Sequence, residues 1–339
     1  MKKERDTLID TLRGLTMIHI VCVIHVIYWF VLFNEPLRSI LLFEMPAIFF
    51  IAGASQSLKQ ENKTLSLWKE TMATVVNRTK RVILPYYVFL IVLYIVMAIC
   101  TWGFDGALGF DLTKLSIGDI IKTIATGGSD NINFFGYTWF IYCYYIVSSL
   151  FPLYKRIVST IRKYPFFICN IIIIVILSNI DIPIVEKEIK NIPIYSLFFM
   201  GGYIFYRKTT KSVFIMITSV STLLTIIFFL LDIATPMVDH KFPADYVFMC
   251  YGISAISLLS LVFSRIHIPQ CRIISLWNTQ GYNIYLYQTI TFSIAVAIFN
   301  PLVTTFQSNI AIYIVYAITV FIISTILALI IAFLNTFGH

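Results

Sequence analysis

The chain has 339 residues, of which 59% are hydrophobic and 12% charged, with 25 Lys and Arg against 17 Asp and Glu and a formal net charge of +8. A soluble domain carries about a quarter charged residues, so a water-solvated globule is excluded and the solvent is a bilayer; the mean hydropathy of +0.85 agrees. The positive balance is spread along the chain, which makes it a topology signal and not a nucleic-acid footprint.

No internal repeat and no Pro-, Gly- or Ser-rich linker divides the sequence, so one membrane domain over residues 1–339 is expected. A hydrocarbon core takes roughly 20 apolar residues per helix. In chain order, spans are expected near 14–33, 38–57, 82–102, 136–154, 165–181, 193–206, 212–231, 246–263, 281–299 and 309–334. The expected fold class is an all-α polytopic membrane protein of about ten transmembrane helices. Unbroken apolar runs, in place of alternation, exclude a transmembrane β-barrel. The first span follows MKKERDTLIDTLR, is too long for a signal-peptide core and lacks a small-residue cleavage site, so it is expected to persist as a membrane span.

Placing the N-terminus inside puts Arg13, Arg78, Lys80, Arg81, Lys155, Arg156, Lys163 and Arg272 on one side. The other side holds Arg38, Lys114, Lys122, Lys187, Lys190 and Lys241 with acids such as Asp111, Asp239 and Asp245. This asymmetry predicts that both termini are cytoplasmic. The six cysteines show no CxxC pairing, so neither a disulfide frame nor a zinc site is indicated.

Polar groups inside the apolar runs carry the chemistry. The stretch LRGLTMIHIVCVIH, residues 12–25, brings Arg13, His19 and His25 into the first span. Arg13 reads as a snorkelling anchor or as the partner of Asp10 at i,i+3. His25 lies about 18 Å further along a helix axis, past the midplane of the span. The two histidines point about 240° apart, so they serve different faces. Each is either an interhelical hydrogen bond or a functional group.

In the second span, LLFEMPAIFFIAGAS places Glu44 in apolar surroundings, where acids cost roughly 2.5–3.5 kcal/mol on insertion scales. A short connection makes the first two spans neighbours, and Glu44 and His25 are expected as a carboxylate–imidazole pair; a structural ion pair is the other reading of Glu44. NRTKRVILPYY sets Arg78, Lys80 and Arg81 at one end of the third span, as ordinary inside charge or as a phosphate clamp. SLWNTQGYNIYLYQ, residues 275–288, supplies Asn278, Gln280, Asn283, Tyr285 and Gln288, as bundle glue or as part of a site. The outer segment 103–135, with a glycine-rich acidic tip and a short surface helix near 116–125, is expected to help select an acceptor.

These clusters, in this order, resemble the acyltransferase-3 family of integral membrane acyltransferases. The carrying pieces are IDTLRGLTMIHIVCVIH, MPAIFFIAG, KRVILPYY, TWFI and NIYLYQ, and the likeness runs the length of the chain. The resemblance implies transfer of an acyl group, often acetyl, from cytoplasmic acyl-CoA to a sugar hydroxyl on the outer side. The family's arginine and histidine are spaced eleven apart, which falls on Ile24 here; His25 comes one later, and a π-bulge would absorb the difference. Many members show His and SG where this chain has Glu44 and AG, and His where Gln288 stands.

On this reading Arg13, Arg78, Lys80 and Arg81 hold the phosphates of acetyl-CoA or another acyl-CoA. His25, oriented by Glu44, acts as general base or as an acyl-imidazole. Trp139, Asn278, Asn283 and Gln288 are the candidate substrate or oxyanion donors. No metal is required. The implied partners are membrane lipid and a glycan or glycolipid acceptor, and the implied location is a bacterial cytoplasmic membrane. The rival class is a sugar or lipid-linked glycan exporter, which also carries midplane polar groups and broken helices, but no inverted repeat of hydropathy supports it.

Overall fold

The computed structural model describes residues 6–29, 35–58, 66–104, 110–127, 136–180, 186–206, 208, 210–263, 271–306 and 310–337. The basic residues ahead of position 6, Lys59, Lys63, Arg207, Arg265 and the glycine-rich tip of the 103–135 segment lie outside the described residues.

In chain order, α1 (Thr7–Ile18) runs through a π-helical segment, π1 (His19–Ile24), into α2 (His25–Trp29). Next come α3 (Leu37–Ile40), α4 (Glu44–Ser57) and α5 (Leu67–Arg78), which passes through π2 (Thr79–Ile83) into α6 (Leu84–Gly103). A 3-10 turn (Leu112–Lys114), α7 (Ile117–Thr126), α8 (Trp139–Ser149), α9 (Phe151–Ile161), α10 (Lys163–Ser178) and α11 (Glu186–Phe205) follow. The chain closes with α12 (Lys211–Leu230), α13 (Met237–Lys241), α14 (Tyr246–Phe263), α15 (Arg272–Phe306) and α16 (Ile310–Phe337). There is no β-strand among the described residues.

The expected spans fall on helices as far as the residues are described, and among the described residues six segments are long and apolar enough to cross a membrane by themselves: Thr7–Tyr28, Leu37–Ser57, Leu67–Gly103, Ser212–Leu230, Tyr246–Phe263 and Ile310–Leu334. The α9–α10 pair, bent by 118°, would make a seventh. Arg162 forms that corner at φ 68, a region that L-residues other than Asn, Asp and Gly seldom enter. Of the rest, α8 has 11 residues, and α15 opens on the polar stretch RIISLWNTQGYN.

The chain divides into two compact units. The first comprises Met1–Thr16, Phe33–Thr74 and Ile146–Cys271; the second comprises Met17–Leu32, Val75–Tyr145 and Arg272–His339.

The first unit is built on α4 against α11. A Cβ at Gly53 would lie 1.7 Å from the Phe199 carbonyl oxygen, and one at Gly202 would lie 1.9 Å from that of Phe50. The two backbones are therefore in direct contact, as small residues permit in membrane bundles. One turn earlier Phe49 stacks on Tyr195 at 4.6 Å, so the helices run parallel in a fixed register. The segment around α13 closes one end: Met237 N donates to Ser39 Oγ at 2.9 Å and Ala244 N to Asn191 Oδ1 at 3.0 Å.

His240 donates from Nδ1 to Asp245 Oδ2 at 2.6 Å and from Nε2 to the Ile233 carbonyl at 2.5 Å. Both partners only accept, so this geometry is that of an imidazolium. The hydrogen bond to Asp245 raises the His240 pKa above its usual value. The other oxygen of Asp245 caps α14 through Val247 N and Phe248 N.

In the second unit, α15 and α16 pack face to face, with Trp277 stacked on Phe321 at 5.5 Å and its Nε1 donating to Thr325 Oγ1 at 3.1 Å. Tyr282 OH donates to the Val82 carbonyl inside π2 at 2.7 Å. The helix expected near 116–125 is present as α7. Its polar Asp119 and Thr123 are 9% and 0% exposed, whereas Ile117 and Ile121 are 78% and 60% exposed.

Two outcomes follow. Gly202→Ala should destabilise the protein by at least about 1–3 kcal/mol, because a rigid backbone stands where the methyl would go. Gly201→Ala meets only the Phe50 ring edge at 3.8 Å and should be nearly neutral; thermal unfolding in detergent compares the two. The His240 contribution is complete below pH 6.5 and disappears as pH rises through the raised folded value. The melting temperature of the native protein relative to His240→Ala should therefore be highest at acidic pH, and the two should converge as pH rises through the raised folded value.

Candidate active site

His25 is the first residue after π1. A π turn accommodates an extra residue without breaking the helix, and such turns cluster at functional sites. The packing against α15 shows the surplus directly. Met17 meets Gly281, where a Cβ would lie 2.7 Å from Met17 Cγ, and His25 meets Gln288. Met17 to His25 thus takes one residue more than Gly281 to Gln288. His25 has the phase that residue 24 would have in an uninterrupted α-helix, which removes the one-residue offset from the family spacing.

His25 Nδ1 lies 2.6 Å from Gln288 Oε1. With an amide oxygen facing it, Nδ1 carries the proton and the ring lone pair sits on Nε2. Gln288 is fully buried, and its Nε2 has no hydrogen-bond partner among the described residues. The rings of Tyr137 and Tyr285 flank the imidazole at 5.9 and 5.8 Å and meet each other edge to face at 5.3 Å. Both hydroxyls are directed away into the frame. Tyr137 OH donates to the Leu286 carbonyl at 2.7 Å and accepts from Thr289 Oγ1 at 2.5 Å, while Tyr285 OH donates to the Tyr137 carbonyl. An imidazole of fixed tautomer held between two rigid aromatics is equipped to remove a proton at Nε2.

The other expected residues fall elsewhere. Glu44, the first residue of α4, is fully buried and forms an ion pair with Lys241, itself 5% exposed, at the end of α13. Its second oxygen, Oε2, has no hydrogen-bond partner among the described residues. Glu44 is thus held by Lys241, and the Nδ1 side of His25 by Gln288.

Arg13 pairs with Asp10 at 3.7 Å, as its i,i+3 spacing allows. Arg78 ends α5 half-buried, and Lys80 and Arg81 project from π2, both exposed. Trp139 opens α8 and Asn278 sits in α15, each half-buried. Asn283 Nδ2 donates to Gln280 Oε1 at 2.8 Å within the same helix. His19, half-buried, begins π1.

The structure therefore brings together His25 with Gln288, and Arg78, Lys80 and Arg81 on one turn. Sequence reasoning missed Tyr137, Thr289 and Lys241. Only Lys241 carried a signal: a lysine beside a histidine in a short segment between two spans.

The fold is that of a multi-pass membrane protein in which a half-buried histidine is held by a buried glutamine. A family model described as an acyltransferase domain matches residues 6–329, nearly the whole chain, and the protein belongs to that family, acyltransferase-3, as a membrane acyltransferase. No curated protein and no solved structure matches it.

Removing one member of a buried ion pair leaves an uncompensated charge and costs about 3–5 kcal/mol. Lys241→Met should therefore lower thermal stability severely, and Lys241→Met combined with Glu44→Gln should regain much of it. A double variant that regains stability and still transfers acyl groups would show that Glu44 is structural.

Proposed function

We propose that the protein is an O-acyltransferase moving an acyl group, of the acetyl class, from cytoplasmic acyl-CoA to a hydroxyl of an extracytoplasmic glycan or glycolipid. The observation that carries this reading is the 2.6 Å contact between His25 Nδ1 and Gln288 Oε1. In the reaction, Nε2 of His25 takes the proton of the acceptor hydroxyl as its oxygen attacks the thioester carbonyl. The tetrahedral intermediate expels the CoA thiolate, and the imidazolium returns its proton to that sulfur. The buried Gln288 Nε2 is the candidate donor to the intermediate's oxyanion, with Trp139 and Asn278 as further candidates.

The donor's phosphates are assigned to Arg78, Lys80 and Arg81, since guanidinium forks match phosphate oxygens. Tyr282 fixes the level of the basic turn through Val82. Gln288 lies about 9 Å further along α15 at 1.5 Å per residue. An extended pantetheine arm covers that distance, so a thioester could reach His25 while the nucleotide stays at the basic end. The excess of Lys and Arg on that side supports a cytoplasmic donor. The cytoplasmic membrane of a bacterium is the proposed location.

The experiment is transfer of labelled acetyl-CoA by purified protein, with mass spectrometry of envelope glycans from cells with and without it. His25→Ala should fold and lose transfer; full transfer by this variant would refute the role. Gln288→Ala should reduce kcat at least about tenfold, since the tautomer is no longer held. A protein that ignores acetyl-CoA but moves a glycan would be an exporter.

A further inference from the structure

Helix α7 is amphipathic the wrong way round for a loop in water. Ile117, Ile121 and Ile124 are exposed, while Asp119 and Thr123 turn inward. The inward polar groups are satisfied within the protein. Ser116 and Asp119 form a reciprocal capping box, with Ser116 Oγ donating to Asp119 Oδ2 at 2.7 Å and Asp119 N to Ser116 Oγ at 3.0 Å. Thr123 Oγ1 donates to the Asp119 carbonyl at 2.8 Å.

Two hydrogen bonds fix the height of this segment against α6, which is itself part of a candidate membrane span. Leu112 N donates to Thr101 Oγ1 at 2.7 Å, and Tyr86 OH donates to the Thr123 carbonyl at 2.8 Å. From Thr101 to Tyr86, α6 travels about 22 Å at 1.5 Å per residue. A helix lying flat over the end of α6 would keep both ties at one level. The stretch from Leu112 to Thr123 instead descends alongside α6, across most of a hydrocarbon core of about 30 Å.

The remainder of the descent belongs to α8. Tyr142 OH lies 3.0 Å from Tyr87 OH, and Tyr145 OH lies 3.0 Å from Thr79 Oγ1, so α8 follows the N-terminal part of α6 and π2. The two helices meet where Gly127, at φ 83, caps α7 and Thr138 Oγ1 donates to the Gly127 carbonyl. The exposed face of α6 beside them is also apolar, with Ile91, Ile95, Ile99 and Trp102 between 54% and 77% exposed.

From this we infer that α7 and α8 are the two halves of one broken membrane span, and that the Ile117–Ile121–Ile124 face of α7 packs against lipid acyl chains. In hydrocarbon, backbone polar groups must be satisfied by protein, and irregular backbone survives only where protein buries it or where it lines a cavity. Among the described residues, the ties at Thr101, Tyr86 and Thr138 satisfy Leu112 N and the carbonyls of Thr123 and Gly127. The break places Tyr137 beside His25, so the interruption of the span lies next to the acid–base site.

The test uses the native chain in vesicles of phosphatidylethanolamine and phosphatidylglycerol doped with a phospholipid bearing a diazirine on its acyl chain. Irradiation and peptide mapping should place adducts on residues 117–125, at a yield comparable with the exposed positions Val220 and Leu223 of α12, and none on residues 111–115. As a second readout, Ile121→Cys should resist a membrane-impermeant maleimide that labels Thr113→Cys. Adducts on α12 without any on α7, or equal aqueous labelling of the two cysteines, would overturn the inference. Neither readout depends on acyl transfer.

Discussion

The contact between His25 and Gln288 is the constraint around which the second unit is organised. A neutral imidazole in an apolar bundle has one ring nitrogen protonated and one not, and a buried polar group without a partner is costly. Gln288 supplies an acceptor for one nitrogen, and the tyrosine pair Tyr137 and Tyr285 leaves the ring little freedom. The Tyr137 and Tyr285 hydroxyls are consumed by Leu286, Thr289 and the Tyr137 carbonyl, which welds the segment ahead of α8 to α15. The site is rigid because its neighbours satisfy one another.

The π segment is what makes that contact available. Without π1, the residue of the first span facing α15 at this level would be Ile24, and the imidazole would point about 100° away. The second π segment lies in the turn that carries Lys80 and Arg81, and one of its carbonyls, that of Val82, is taken by Tyr282 of the same helix that bears Gln288. Helix α15 thus holds both irregular turns at a set spacing. In the first unit the corresponding organiser is the α4–α11 backbone contact, with the buried Glu44–Lys241 pair at one end.

Much of this was legible in the residues. The helical class followed from composition, and the histidine from an imidazole that lipid would not tolerate without a use. The one-residue offset between His25 and the family spacing pointed to a π turn, and the structure has one immediately before it. Glu44 was recognisable as a buried acid, but not its partner. Lys241 stands 197 residues away in a segment that reads as ordinary outer charge, and only the closure of α13 over α4 brings them together. Helix α7 was found, but periodicity reveals that a helix has two faces without saying which solvent each meets. Tyr137 gave no signal because nothing in GYTWF distinguishes a site aromatic from a packing one.

The central claim is that His25 is a neutral base protonated at Nδ1. Solid-state 15N spectra of histidine-labelled protein in bilayers, with the His25 signals assigned by their loss in His25→Gln, read this directly. The account predicts a protonated Nδ1 and an unprotonated Nε2 near neutral pH, with the two forms mixed once Gln288 is replaced by Leu. A proton found on Nε2 in the native protein would contradict it.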